Sequence, residues 1–382
     1  MTYFHAVSRE MMFSQFTDFG NYWLNASMMK DGFNTWSKDE ETEGRRAALA
    51  NRYGFLITYP SINSLGFSAF MLPFTLFDFR HAALLWNIIG QAALLFSLWL
   101  MLKISKIKPF SEDMLLVLFL VFSFWPIREA LHDGQVTFLT LFLMTASIYL
   151  MKGKKWLLAG ILLSLAIQTK EYIALSLLAF IWKKNWRVLA GVAFGFFLVK
   201  ILEISIFGLG IELAYWKFMF GFGAQFYPSV NNHSLMGTVY RIGSGLMGVP
   251  SCVFVSMALI IVLTGLAFFW TRRTADALLS FFPFLILSFI ISPWIHESHY
   301  IILYPAIIAL WLYIDKMQKQ GYYALFILAY LLLGVGYSLN SFCHFHSGIL
   351  ALFTVGKLAG MIILFILAGR IAFNPDSEDT YA

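Results

Sequence analysis

From residue 55 to about residue 370 the chain is a series of apolar runs separated by short polar clusters. The runs are 82–102, 114–127, 136–151, 156–169, 172–182, 188–207, 250–270, 277–292, 300–314, 322–340 and 349–370. A helix needs about 20 residues, at about 1.5 Å each, to cross a bilayer. The pattern predicts an all-α, polytopic helical membrane protein with about 11 membrane segments, several of them short or broken. The intervening loops are of two kinds. Lys103/Lys106/Lys108, Lys152/Lys154/Lys155, Lys183/Lys184/Arg187, Arg272/Arg273 and Lys316/Lys319 fall in every second loop. The alternate loops hold Arg128–Gln135, Lys170-Glu171, Asn231–Ser234 and His296–His299. Cytoplasmic loops are rich in Lys and Arg, so the second set faces outward. Ionisable groups are costly near lipid, and four such clusters on one face read as a site.

Two stretches test this topology. As one helix, 156–182 would put its flanking basic runs on opposite sides. As two short arms meeting at Thr169-Lys170-Glu171 it keeps both runs inside and sinks Lys170 below the surface, in protein or a wet cavity. The second reading is preferred. Residues 55–77 carry Pro60 and Pro73 and are expected to dip in and return or lie along the interface. Residues 1–54 form an outer-face region with no spanning helix, so either the tail is translocated without a leading helix or the chain begins upstream. Residues 55–373 form the transmembrane helical domain and 374–382 a cytoplasmic tail.

Composition narrows the function. The chain is 59% hydrophobic and 13% charged, with mean hydropathy +0.72, against about a quarter charged in soluble domains. The +6 balance comes from basic loops between apolar spans and signals no nucleic acid. Cys252 and Cys343 have no redox or metal spacing and read as packing residues. No P-loop, dinucleotide fingerprint or HExxH occurs, so no cofactor is expected. His296-x-x-His299 is a possible ligand pair, but without a carboxylate cluster no metal is expected.

In the stretch Phe16–Trp23 a lone aspartate, Asp18, is flanked by aromatic residues. It either caps a helix over 19–29 or serves as a catalytic carboxylate, and the residues alone leave both open.

The order of these motifs resembles glycosyltransferase family 87, polytopic GT-C enzymes that include polyprenol-phosphate-mannose-dependent mannosyltransferases. The likeness runs from Asp18-Phe19-Gly20-Asn21-Tyr22, through Thr58-Tyr59-Pro60-Ser61, His132-Asp133-Gly134-Gln135 and Gln168-Thr169-Lys170. It continues in Asn232-His233-Ser234-Leu235 with Arg241, and in Ser292-Pro293-Trp294-Ile295-His296-Glu297-Ser298-His299. Three features depart from the family: no membrane helix precedes the acidic loop, Glu171-Tyr172 stands where a proline is usual, and the paired histidines are spread. The resemblance implies a hexosyltransferase of inverting type. It would take a hexose, mannose first, from a polyprenyl-phosphate-sugar donor to a glycolipid or glycan acceptor at the outer face of the cell membrane. It implies Asp18 as base and Lys170, Arg241 and His299 on the donor phosphate. Gln135, Asn232, Ser234, His296 and Tyr59 are implied on the sugar or acceptor. A transporter or lipid-carrier flippase is the alternative, though no internal repeat of the kind many transporters show is visible.

Overall fold

The computed structural model describes residues 17–55, 59–60, 62–222, 229, 231–243, 246–274, 276–336 and 347–373. Thr58, Ser61, Cys343 and the expected cytoplasmic tail 374–382 lie outside these. Every regular element among the described residues is helical, as the apolar pattern requires. In chain order the α-helices are α1 Thr17–Lys30, α2 Glu40–Tyr53, α3 Leu65–Met71, α4 Phe79–Ile104, α5 Glu112–Phe122, α6 Trp125–Asp133, α7 Thr137–Lys152 and α8 Trp156–Thr169. They continue with α9 Leu178–Trp182, α10 Trp186–Phe207, α11 Leu209–Phe222, α12 Leu235–Gly243, α13 Val249–Thr271 and α14 Ala277–Ile291. The last three are α15 Tyr304–Met317, α16 Gln320–Gly334 and α17 Gly356–Phe373. Short 3-10 segments Leu72–Leu76, Glu171–Leu177, Glu297–Leu303 and Gly348–Thr354 join some of them.

Among the described residues, five helical units can cross a membrane by length and composition: α4, α10, α13, 297–317 and α17. A sixth arises if α5 and α6, bent by 51° at their junction, act as one span. The other apolar helices have 17 residues or fewer, too short to cross alone at 1.5 Å per residue. Of the expected 11 or so segments, short and broken ones included, five or six are therefore long enough to be full spans. The spanning units also differ in surroundings. α10 and α13 bury only 17% of their most apolar stretch, whereas 297–317 buries 72%. The first two present themselves to lipid; the third runs through the protein interior, as does α14, whose residues 278–290 are all buried.

Four of the five basic runs share one end of the bundle. Lys152 Nζ donates to Ile104 O at the end of α4, and Lys183 Nζ donates to Thr271 O and Thr274 O at the end of α13. Trp156, Lys183, Trp186 and Arg187 line one cavity of about 700 Å³. α8 and α10 run parallel from that end, because Gly160 meets Gly191 and Ser164 meets Gly195. The chain must therefore travel up α8, turn, and come back through 171–182 before α10 starts. Thus 156–182 is two arms with Lys170 at the turn.

The parallel contact demands glycine. A Cβ on Gly160 would lie 2.2 Å from Val188 O, and one on Gly191 would lie 2.1 Å from Leu157 O. Backbone atoms cannot yield as a flexible side chain does. Gly160→Val is expected to destabilise the protein by about 1–3 kcal/mol, the usual cost of overpacking, read as a lower melting temperature in detergent. An unchanged melt would show that α8 and α10 part freely.

Residues 65–76 form α3 and the 3-10 segment after it. Gly66 packs closely on Val199 and Glu203 of α10, so this part of 55–77 leans on the bundle.

Candidate active site

The site starts from α1. Asp18 and Tyr22 are four residues apart and lie on one helical face. The helix already includes Thr17 and has Asp18 in its first turn, so Asp18 is not the residue that caps a helix at 19. Its carboxylate is bonded across the fold instead. Oδ1 accepts from Tyr59 Oη at 2.7 Å, and Oδ2 accepts from Gln135 Nε2. Tyr22 Oη donates to Gln135 Oε1 at 3.4 Å. Phe19, next to Asp18, stacks on Trp86 at 5.7 Å and on Phe79 at 5.8 Å, which fixes α1 on the bundle. Tyr59 is held by Asn21 Oδ1, which accepts its N–H at 3.2 Å, and by Asn25 Nδ2, which donates to its carbonyl at 3.1 Å.

Gln135 is aimed by the end of α6. That helix closes on Gly134 in the left-handed region (φ 63°), a conformation most side chains resist. Trp86 Nε1 donates to Gly134 O at 2.7 Å, and Gln135 N donates to Ala130 O at 2.9 Å. The amide of Gln135 is then free to reach in two directions: Nε2 to Asp18, and Oε1 to Lys170 Nζ at 3.2 Å.

Lys170 is the turn between the two arms, in an extended conformation. Thr169 Oγ1 and Thr140 Oγ1 lie 2.7 Å apart, and Ser64 Oγ donates to Gln168 O at 2.7 Å. These bonds tie the turn to α7 and α3. The ammonium also donates to His299 Nε2 at 3.0 Å. An imidazole nitrogen that accepts is unprotonated, so the positive charge of the pair sits on Lys170. His299 stacks on Tyr172 at 5.6 Å.

Asp18 is pushed up to about 6, above the ordinary carboxylate range. Burial is the main cause and the charge of Asp133 the next; the Tyr59 hydrogen bond and the charge of Lys170 oppose them. Asp133 is itself held by Thr17 Oγ1, which donates to it at 3.3 Å, and by His132 Nδ1 at 3.0 Å.

A second group of residues builds the floor. Asn232 Nδ2 donates to Pro293 O at 2.9 Å, and its Oδ1 accepts from Ser234 N at 3.1 Å and Ile295 N at 3.3 Å. His233 N donates to Ile295 O at 2.9 Å. Residues 232–234 are thus strapped to 293–295, which delivers His296 and His299. Ser234 Oγ accepts from Gly237 N at 3.1 Å, capping α12. Glu297 Oε1 lies 3.7 Å from both His233 Nε2 and Lys357 Nζ. Lys357 also donates to Leu333 O at 2.8 Å and Val335 O at 2.7 Å, so α16 and α17 are fastened to the same loop.

The fold therefore brings Asp18, Tyr59, Gln135, Lys170 and His299 into one hydrogen-bonded set. His296 stands 6.5 Å ring to ring from His299, and its Nδ1 faces Ser298 Oγ at 3.2 Å. Asn232 and Ser234 serve the strap. Arg241 is buried on α12, within electrostatic reach of Tyr300 and His233; the bonds above do not run to it. Sequence reasoning missed Tyr22 and Asp133 as participants. Both lay inside quoted motifs, Asp18–Tyr22 and His132–Gln135, and helical spacing from Asp18 would have found the first.

An all-helical membrane protein with a carboxylate and an ammonium joined by one amide defines a class of site suited to moving a proton while holding an anion. Residues 61–293, more than half of the chain, match the model of Glycosyltransferase family 87. The chain belongs to that family, and is a membrane glycosyltransferase. Gln135, Lys170 and Arg241 lie within the matched stretch; Asp18 precedes it and His299 follows it. No curated protein and no solved structure matched the chain.

Proposed function

We propose that this chain transfers a hexose, with mannose the first candidate, from a polyprenyl-phosphate-linked donor to a glycolipid or glycan acceptor. The transfer takes place at the non-cytoplasmic face of the cell membrane. One observation carries the reading: Gln135 gives its N–H to Asp18 and takes a proton bond from Lys170. A base and an anion-binding cation thus stand one side chain apart. In the reaction the acceptor hydroxyl oxygen attacks C1 of the donor sugar while Asp18 removes its proton. The bond from C1 to the phosphate oxygen breaks, and polyprenyl phosphate leaves with the electron pair. Lys170 holds that leaving anion, and His299 accepts from the ammonium and orients it. Arg241 is the second cation on the phosphate side. Direct displacement with one base inverts the anomeric centre. Gln135, His296 and Tyr59 offer hydrogen bonds to sugar hydroxyls, and Asn232 and Ser234 hold the loop that carries His296.

The test is to give membranes containing the protein a polyprenyl-phosphate-[labelled hexose] and follow the label. Label in a glycolipid or glycan supports the reading. Label that crosses the membrane but stays on the carrier supports a flippase and overturns it.

Orientation has its own test. Thr169, at the turn, is buried against Thr140 and would report poorly. Arg128 on α6 and Lys154 after α7 are exposed. With Cys252 and Cys343 replaced, Arg128→Cys is expected to react with an impermeant thiol reagent from outside, and Lys154→Cys to stay unlabelled. The opposite pattern would turn the site to the cytoplasm.

A further inference from the structure

Lys170 is followed by Glu171, the obvious partner for its charge. The fold gives their charged ends different hydrogen-bond partners, although each still feels the other's charge. Lys170 Nζ bonds Gln135 and His299, while Glu171 Oε1 accepts from Tyr215 Oη at 2.7 Å. Tyr215 lies on α11 and is fully buried, in edge contact with Trp36 at 5.4 Å and Trp216 at 5.4 Å. α11 is fixed in turn by α10. Glu212 Oε1 accepts from Lys200 Nζ at 2.8 Å and from Trp216 Nε1 at 2.7 Å, and Lys200 also bonds Glu203. Lys200 is within electrostatic reach of Glu171, but it is held by these two carboxylates. Without the Tyr215 hydroxyl, half-buried Glu171 would lose its side-chain donor, and a carboxylate partly shielded from water and short of a partner seeks a cation. Lys170 is its neighbour in sequence.

We propose that Tyr215 is a positioning residue that withholds Glu171 from Lys170 and so keeps the lysine charge available to an anionic leaving group. This rests on the reading of Lys170 given above. The phenol has no contact with the reacting atoms. It acts through Glu171, and this predicts a specific rescue: if Glu171 is made neutral, loss of the hydroxyl no longer matters.

The experiment uses the full-length protein in detergent or nanodiscs and two readouts. These are affinity for polyprenyl phosphate without its sugar, and transfer from the polyprenyl-phosphate-hexose. Tyr215→Phe keeps the ring and its edge contacts. It is expected to weaken phosphate binding roughly tenfold or more, the scale of a lost bond to a charged group. Glu171→Gln is expected to bind within a small factor of wild type. Combining Glu171→Gln with Tyr215→Phe should return affinity to the level of Glu171→Gln alone. Wild-type affinity in Tyr215→Phe overturns the inference, and so does a double variant as weak as Tyr215→Phe. Lys170→Met separates this inference from the functional reading. If it binds polyprenyl phosphate like wild type, the phosphate role of Lys170 fails and the inference falls with it. If it binds weakly while Tyr215→Phe does not, only the inference falls.

Discussion

Asp18→Asn is expected to lower transfer by roughly 10²- to 10⁴-fold, the usual cost of removing a general base, in protein that still inserts and folds. The change keeps the shape of the side chain, and an amide oxygen can still accept from Tyr59, so the local packing of α1 survives. What is lost is the capacity to take a proton. Wild-type rate should carry the same signature in its pH profile. Asp18 titrates at about 6 and must be ionised to act. Transfer therefore falls as pH drops through that value, and is independent of this group above it. Asp133 helps raise the value, so Asp133→Asn is expected to move the acid limb to lower pH. Turnover in Asp18→Asn above about a tenth of wild type would remove the base role, as would an acid limb that ignores Asp133.

Lys170→Met is expected to cost roughly 10²- to 10³-fold in turnover, the scale seen when one preorganised donor to a developing anion is removed. Methionine keeps most of the length and apolar bulk, so the two arms still meet. The effect should fall on the donor: polyprenyl phosphate binds more weakly, and acceptor KM changes little. Lys170→Arg should recover part of the loss, limited by the fit of a planar guanidinium beside His299. Equal losses for donor and acceptor would mark Lys170 as a structural tie rather than the phosphate holder.

The parts of this architecture legible in the sequence are those set by local pattern. Apolar runs foretold the helices, and alternating basic loops foretold that Lys152–Lys155 and Lys183–Arg187 share an end. The break at Lys170 followed from that constraint. Gln135 and His299 stand in polar clusters at the ends of apolar runs, whereas Asp18, a lone carboxylate among aromatic residues, was singled out by the resemblance to the family's acidic loop. The illegible parts depend on three-dimensional crossing. Composition cannot tell α14, wrapped in protein, from α13, turned to lipid, since both environments are equally apolar. Tyr215 sits on Leu209–Phe222, a stretch outside the apolar runs and polar clusters of the sequence, and nothing local pairs it with a glutamate 44 residues away. Asn232 was nominated for sugar and is used to strap two loops, because an amide serves either purpose. Asp18 also read as a helix cap, yet the helix continues through Thr17 and leaves the carboxylate for Tyr59 and Gln135.

The returning arm has a consequence for how the protein is made. Segment 171–182 is short, begins with a glutamate, and is covered by α14: Tyr172 packs edge-on against Phe289 at 5.0 Å. Residues 171 and 289 are separated by more than a hundred positions of nascent chain. When the arm leaves the ribosome its cover does not yet exist, and it is too short to settle stably across lipid alone. Until the later helices arrive, α8 is the earlier neighbour it can pack against. Biogenesis of this enzyme is therefore most exposed to interruption between the synthesis of α9 and that of α14, and chains stopped in that interval are the ones quality control should remove.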